Sequence, residues 1–381
     1  MTVRFIHSAD WQLGMTRHFL SGEAQARFSQ ARIDAIRTIA QVVREEGAAF
    51  VVVAGDVFES NQVEPRTVRR ALEALSEVAV PVFLLPGNHD PLDASSVYRS
   101  PTFERQRPNN VVVLEDSTPR VVVPGVEVVG APWTSKRLLR DLVEAVAAEL
   151  EPHADIARVL VAHGVIRDAM SGENPAAIDV GNAEVAISDG RISYLALGDR
   201  HSTTSLSTTG RIYYSGSPEP TAHNESDAGN VLVVELTDVG DCVVRPRAVG
   251  TWEFVQADFE LDIHAGVEPL ARWLDSHLAK DRCAARIGLR GTISLSVDAE
   301  LQDLLERHRD LFGAVEIVGP PDALIVRPDD DDFADLELTG FAADAVRELR
   351  DEATVPGPQA AVARDALALL VRLVRGAGAR A

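Results

Sequence analysis

Five short motifs collect the residue types that hold divalent metal ions, and each follows an apolar run. Asp10-Trp11-Gln12 follows residues 3–6, and Gly55-Asp56 follows 50–53. Gly87-Asn88-His89-Asp90 follows 82–85, His163-Gly164 follows 159–162, and Gly198-Asp199-Arg200-His201 follows 194–197. Carboxylate, amide oxygen and imidazole together suit a hard to borderline ion such as manganese. A single carboxylate can bridge two ions about 3.5–4 Å apart, the spacing used for in-line displacement at phosphorus. Glycine beside a ligand lets the backbone turn and approach the ion closely. One Gly-Asp or His-Gly pair means little, whereas five motifs in this order predict a two-metal site.

Such ligands converge only if the runs before them are neighbouring parallel strands whose carboxyl ends share a sheet edge. Short β-branched or apolar runs at 3–6, 50–53, 82–85, 111–114, 121–123, 126–129 and 159–162 read as strands. Helical periodicity at 27–44 and 65–78 falls between the early ones, with Pro65 suited to a first helical position. Residues 212–214, 231–235 and 242–245 read as antiparallel strands. The expectation is an α/β or α+β sandwich with buried sheets over 1–250. Residues 251–328 read as a smaller α+β domain, with strands at 252–261, 292–297, 315–318 and 323–326 and helices at 264–278 and 300–311. Residues 329–381 read as an acidic linker, Asp329 to Asp332, and a helical tail broken at Pro356-Gly357-Pro358. Val362, Ala366, Leu369, Leu370 and Leu373 share helical spacing on that tail, to pack on the chain's own domain, dock a partner's coiled coil or form a homodimer.

The totals narrow the class. The 381 residues carry a net charge of −21, which excludes a surface that attracts nucleic acid everywhere but not a local basic channel. The two cysteines, Cys242 and Cys283, stand apart without partner motifs, so no disulfide framework is expected. No apolar run is long enough to span a membrane and no secretory leader is seen, so a cytoplasmic protein is expected.

The string Phe5-Ile6-His7-Ser8-Ala9-Asp10-Trp11-Gln12-Leu13-Gly14 resembles the opening of SbcD and Mre-type nucleases, members of the calcineurin-like metallophosphoesterase superfamily. Gly55-Asp56-Val57-Phe58, Gly87-Asn88-His89-Asp90 and Tyr214-Ser215-Gly216-Ser217-Pro218 resemble their later motifs, over roughly residues 3–250. The resemblance implies a four-layer αββα sandwich with a C-terminal capping domain. It also implies manganese-dependent phosphodiester hydrolysis, with magnesium the alternative ion, DNA as substrate and an SbcC-like coiled-coil ATPase as partner. By that resemblance Asp10, Gln12, Asp56 and His201 hold one metal and Asp56, Asn88, His163 and Asp199 the other. His89, supported by Asp90, would protonate the leaving oxygen or stabilise the transition state; Arg200, Ser215 and Ser217 would meet the substrate. Gln12 and Asp199 stand where the family has histidines. A neutral amide ligand and an added carboxylate should weaken the first ion's hold and shift the site from zinc or iron toward manganese or magnesium.

For a phosphate backbone, Arg66, Arg69 and Arg70 on one expected helix face and Lys136 and Arg140 on another are candidates, with Tyr98 or Trp133 to stack on a base. Glu59 is expected either behind His89 or exposed. Two alternatives to a DNA nuclease stay open: a phosphodiesterase or phosphatase for a small ester, and a non-catalytic partner-binding relative.

Overall fold

Every strand that leads to one of the five motifs lies in one of two six-stranded sheets. The computed structural model describes residues 2–168, 172, 174–237, 241–262, 266–320, 322–327, 340–354, 357, 359–360, 362–367 and 369–370. By its contacts the chain divides into two units, Met1–His18 with Gln25–Trp252, and Phe19–Ala24 with Glu253–Ala381.

From the N-terminus run β1 (Val3–Ser8), α1 (Gly22–Glu46), β2 (Val51–Val53), α2 (Pro65–Ser76), β3 (Val82–Leu84), α3 (Pro101–Gln106), β4 (Val111–Val113), β5 (Arg120–Val123) and β6 (Val126–Gly130). Then come α4 (Leu142–Glu149), β7 (Ala157–His163), α5 (Val180–Ser188), β8 (Tyr194–Gly198), β9 (Thr204–Ser205), β10 (Ile212–Tyr214), β11 (Asn230–Leu236) and β12 (Cys242–Ala248). The sheets have strand orders β12-β11-β1-β2-β3-β4 and β5-β6-β7-β8-β10-β9. Within them β1, β2, β3 and β4 are mutually parallel, as are β6, β7, β8 and β10.

Alternation along the strands sorts side chains between two environments. Phe5, Phe50, Val52 and Phe83 meet Val126, Val128, Val159, Val161, Tyr194 and Ala196 in the core shared by the two sheets. Ile6, Val51 and Val53 turn the other way, against Ile36, Ile39, Leu72, Leu75 and Phe103 of α1, α2 and α3. On the far side Leu160 and Leu195 meet Val143, Val146, Ala183 and Ala186 of α4 and α5. The layers are therefore helix, sheet, sheet, helix, and the central strands are apolar throughout because both faces are covered.

Several sequence expectations need correction. Residues 212–214 form β10, which pairs antiparallel with β9, as expected, but parallel with β8 on its other edge, because an apolar run carries no sign of direction. Lys136 and Arg140 lie in the loop before α4, not on a helix. In the second unit β13 (Glu253–Asp262), α6 (Glu268–Ser276), β14 (Cys283–Ile293), α7 (Leu295–Arg309), β15 (Ala314–Val318), β16 (Leu324–Val326) and α8 (Phe341–Thr354) form a parallel sheet β13-β14-β15, with β16 also on β14, and its helices. The expected strand at 292–297 is the end of β14 and the start of α7. Ser294 caps that helix by accepting from the Val297 N–H, so the chain turns there. On the tail, Ala363 and Leu367, not Val362 and Leu369, are buried, against Leu295, Ala299, Val346 and Ala353. His264, Asp329 to Asp332, Pro356, Pro358 and Leu373 lie outside the described residues. Among the described residues no helix is long and apolar enough to cross a membrane.

Candidate metal centre

The loops after β1 and β2 are zipped together by backbone hydrogen bonds. Asp10 N–H donates to Gly55 O (3.1 Å), Gln12 N–H to Asp56 O (2.8 Å) and Leu13 N–H to Val57 O (2.9 Å). This fixes Asp10, Gln12 and Asp56 against one another. The loop after β3 joins them through Asp90, which is wholly buried and accepts from Gly87 N–H (2.8 Å), Phe58 N–H (3.0 Å) and the Tyr98 hydroxyl (2.7 Å). From the second sheet, Asp199 N–H donates to both Asp10 carboxylate oxygens at 3.1 Å. Loops from both sheets thus close on one point.

One donor atom each from Asp10, Asp56 and His163 lies within 4.8 Å of the others. His163 Nδ1–H donates to Ala54 O (2.8 Å), which fixes the tautomer and turns Nε2 inward. There Nε2 stands 2.7 Å from Asn88 Oδ1, 3.5 Å from Asp56 Oδ1 and 3.7 Å from Asp199 Oδ1. A proton on Nε2, or a cation between these acceptors, satisfies that arrangement. Gln12 Nε2 lies 3.2 Å from His201 Nε2, while Gln12 Oε1 is buried with no hydrogen-bond partner. A buried carbonyl oxygen without a donor is costly, by about 1–3 kcal/mol, and a cation relieves it. All seven sequence-predicted ligands therefore meet here.

Backbone conformation marks the same residues. Among the described residues, the non-glycine positions at positive φ are Asp10 (54°), Gln12 (41°), Asp56 (53°) and Asp199 (109°). Left-handed backbone is uncommon outside glycine and clusters where side chains are aimed for a task. Gly55, at φ 89°, and Gly87 are required for room as well: a Cβ at the first would strike the His163 ring and at the second the Asp56 carboxylate.

Partners behind the ligands were not legible in the sequence. His201 Nδ1 is held by Glu225 Oε1 (2.9 Å) and Thr221 Oγ1 (2.5 Å), a carboxylate–histidine pair that raises the basicity of the inward nitrogen. The Trp133 indole donates to His163 O (2.7 Å), so it walls the site. Arg32, buried in α1, donates to Trp11 O (2.8 Å) and Pro220 O (2.9 Å) with its guanidinium 4.6 Å above Phe28. It ties the loop of Asp10 and Gln12 to the loop of Thr221. Arg32→Met is expected to destabilise the fold by about 2–4 kcal/mol, because two buried carbonyls lose their donors. Urea unfolding measures this, and a change within error would show that the clamp is dispensable.

Other assigned residues sit differently than expected. Asp90 does not touch the His89 ring; that ring is oriented by Nδ1–H donation to the Glu59 carbonyl (2.9 Å). Consecutive residues of a tight turn point apart, so Asp90 braces the backbone instead. Tyr98 is buried with its hydroxyl on Asp90 and cannot stack on a base. Ser215 and Ser217 are fully buried, their hydroxyls donated to Gly216 O (3.1 Å) and Glu219 O (2.8 Å), so they shape the loop rather than meet a substrate. Arg200 is exposed between Asp199 and His201.

The calcineurin-like phosphoesterase family model matches residues 3–202. The chain belongs to the calcineurin-like phosphoesterase family. Among its relatives, the DNA double-strand break repair protein Mre11 of Archaeoglobus fulgidus is 30% identical over 243 residues, covering 57% of this chain and 50% of that protein. The SbcD component of the nuclease SbcCD of Bacillus subtilis is 25% identical over 306 residues, covering 71% of this chain and 72% of that protein. The match to the archaeal relative thus spans half of its length. Calcineurin-like phosphoesterases work through dimetal centres, and the orphaned Gln12 oxygen and the converging donors fit such a centre.

The buried carboxylates give the centre a pH dependence. Burial, with the Asp56 and Asp199 charges adding to it against His201 and His163, pushes Asp10 from 3.8 up to about 7. Burial alone would lower His163, but Asp56, Asp10 and Asp199 outweigh it and raise it from 6.5 to about 9. Both hold protons in the fold that the unfolded chain has released, so stability falls as pH rises through these values. Buried His7, lowered by desolvation to about 3, acts oppositely but only below its unfolded value of 6.5. Between pH 7 and 9 the His163 loss stands unopposed by His7. A cation replaces those protons, so the rise in melting temperature on adding manganese is expected to grow from pH 6 to pH 9. Melts with and without the ion test this; a rise that shrinks with pH would contradict it.

Proposed function

We propose that this chain is a DNA nuclease of the SbcD/Mre type, an exonuclease that hydrolyses phosphodiester bonds with two divalent ions in DNA repair. The observation that carries it is the meeting of Asp10, Gln12, Asp56, Asn88, His163, Asp199 and His201 on one point, with half-exposed His89 beside them. Asp10, Gln12, Asp56 and His201 would hold one ion and Asp56, Asn88, His163 and Asp199 the other. The ions would supply Lewis-acid polarisation of the phosphoryl group and a nucleophile at neutral pH.

The chain's own groups do the rest. With Nδ1–H given to Glu59 O, the His89 ring presents Nε2, 3.9 Å from Asp56 Oδ2, to the reacting side. From there Nε2 would supply a proton to the leaving oxygen. Arg200 is free to meet a phosphate, and exposed Arg66, Arg69, Lys136 and Arg140 suit contacts to a strand backbone. Residues 251–328 would serve as a capping, DNA-binding domain, and the tail at 329–381 would dock an SbcC-like coiled-coil ATPase or a second copy. A cytoplasmic setting suits the free Cys242 and Cys283.

Three carboxylates, one primary amide on each ion and two imidazoles make a hard donor set, so manganese is expected to bind ahead of zinc, with magnesium as substitute. Calorimetry with both ions checks this, and a clear preference for zinc would contradict it. The reaction is tested with the purified chain and manganese on linear duplex DNA and on bis-p-nitrophenyl phosphate. DNA cleavage, with affinity falling steeply as salt rises, is the expected result. Turnover of the small ester alone would move the chain to the general phosphodiesterases, and no turnover with ions bound would make it a partner-binding relative.

A further inference from the structure

The second unit carries a donor cluster of different chemistry. Glu253 opens β13 and Cys283 opens β14, and the two residues are opposite one another in the parallel register, so their side chains leave the same face of the sheet. His277 follows the last residue of α6 in extended conformation. One donor atom each from Glu253, His277 and Cys283 lies within 4.8 Å of the others. His277 Nδ1 is 3.6 Å from Glu253 Oε2, and its ring stands edge-on to Trp273 (4.9 Å between centroids) and Phe312 (6.1 Å). His277 Nε2 is buried with no hydrogen-bond partner, and the Cys283 thiol is free and buried.

Packing alone accounts poorly for this set. His277 Nδ1 faces Glu253 at 3.6 Å, beyond hydrogen-bond reach, and Nε2 has no partner, so neither ring nitrogen is satisfied by the protein, and a buried one left so costs about 1–3 kcal/mol. Thiolate, imidazole and carboxylate are instead the ligands of a borderline-soft ion, three protein donors with a fourth position for solvent. We propose that Glu253, His277 and Cys283 form a metal site separate from the phosphoesterase centre, selective for zinc. On binding, the Cys283 Sγ–H bond breaks, its proton passes to solvent and Sγ donates to the ion. The ion then fastens the starts of β13 and β14 to the end of α6. The oxygen-rich centre of the first unit has no thiol, so the two sites sort zinc from manganese by ligand softness.

Cobalt(II) added to the full chain is the test, because only a thiolate ligand gives a sulfur-to-cobalt charge-transfer band in the near ultraviolet. The band is expected in the wild type, in Cys242→Ser and in Asp56→Asn, and is expected to vanish in Cys283→Ser. Its survival in Asp56→Asn keeps the outcome independent of the phosphoesterase centre. His277→Phe, which keeps the ring packing against Trp273 and Phe312, should also lose the band and serves if Cys283→Ser does not fold. Zinc titration should give one equivalent fewer for Cys283→Ser than for the wild type. Absence of the band in the wild type, or its persistence in Cys283→Ser, would overturn the site.

Discussion

His89→Gln is expected to lower cleavage of DNA by about 10²–10⁴-fold while metal content and melting temperature stay at wild-type values. The fold tolerates the change because the ring is 38% exposed and makes one side-chain hydrogen bond, from Nδ1 to Glu59 O. The loss should depend on the leaving group. An alkoxide leaving from DNA needs the proton that Nε2 supplies, whereas p-nitrophenolate leaves without it, so the ester should lose far less. Steady-state kinetics on both substrates separate the two effects. Equal losses would mean that His89 acts on the phosphoryl charge rather than on the leaving oxygen, and no loss would remove it from the chemistry.

Asp56→Asn is expected to abolish turnover and to erase the stabilisation that manganese gives. Asp56 is buried, its charge adds to burial in raising the carboxyls of Asp10 and Asp90, and it accepts the His89 N–H at 3.0 Å. Removing that charge relieves repulsion with Asp10 and Asp90 but also removes an attraction that holds the His163 proton, so without added ions the variant should melt close to the wild-type temperature. With ions at about 100 times their dissociation constant, each bound ion stabilises the wild type by about 2.7 kcal/mol, and the variant should gain almost none of this. Differential scanning fluorimetry across a manganese series reads both halves. A variant that still rises with manganese would show that Asp56 is not shared between the ions.

The converging side chains were legible because each follows an apolar run closely, and Asp56, Asn88, His163 and Asp199 also stand beside glycine. Asp10, Asp56, Asn88, His163, Asp199 and His201 could be placed without knowing the pairing, since parallel strands deliver their ends to one edge. Glu225, Thr221 and Arg32 could not. Their meaning depends on which loop lies behind His201 and beneath Trp11, and that is a tertiary fact. Asp90 misled by adjacency: next to His89 in the chain, it points into the backbone of its own turn and the Phe58 N–H. Ser215 and Ser217 misled by type, since hydroxyls that suit a substrate also suit a buried loop. In the second unit Ala285, Ile287 and Leu289 alternate with less buried positions, but Gly291 breaks the apolar face before Ile293, which hid most of β14. On the tail, Ala360, Ala363 and Leu367 are buried with Leu370 packed against the same cluster, whereas Val362 and Leu369 of the expected face are exposed.

A pair of ions sharing Asp56 is tested by electron paramagnetic resonance of the manganese-loaded chain. Two ions bridged by one carboxylate couple magnetically, so a multi-line coupled spectrum is expected at two equivalents, collapsing in Asp56→Asn. A spectrum of isolated manganese at every loading, unchanged by Asp56→Asn, would contradict it.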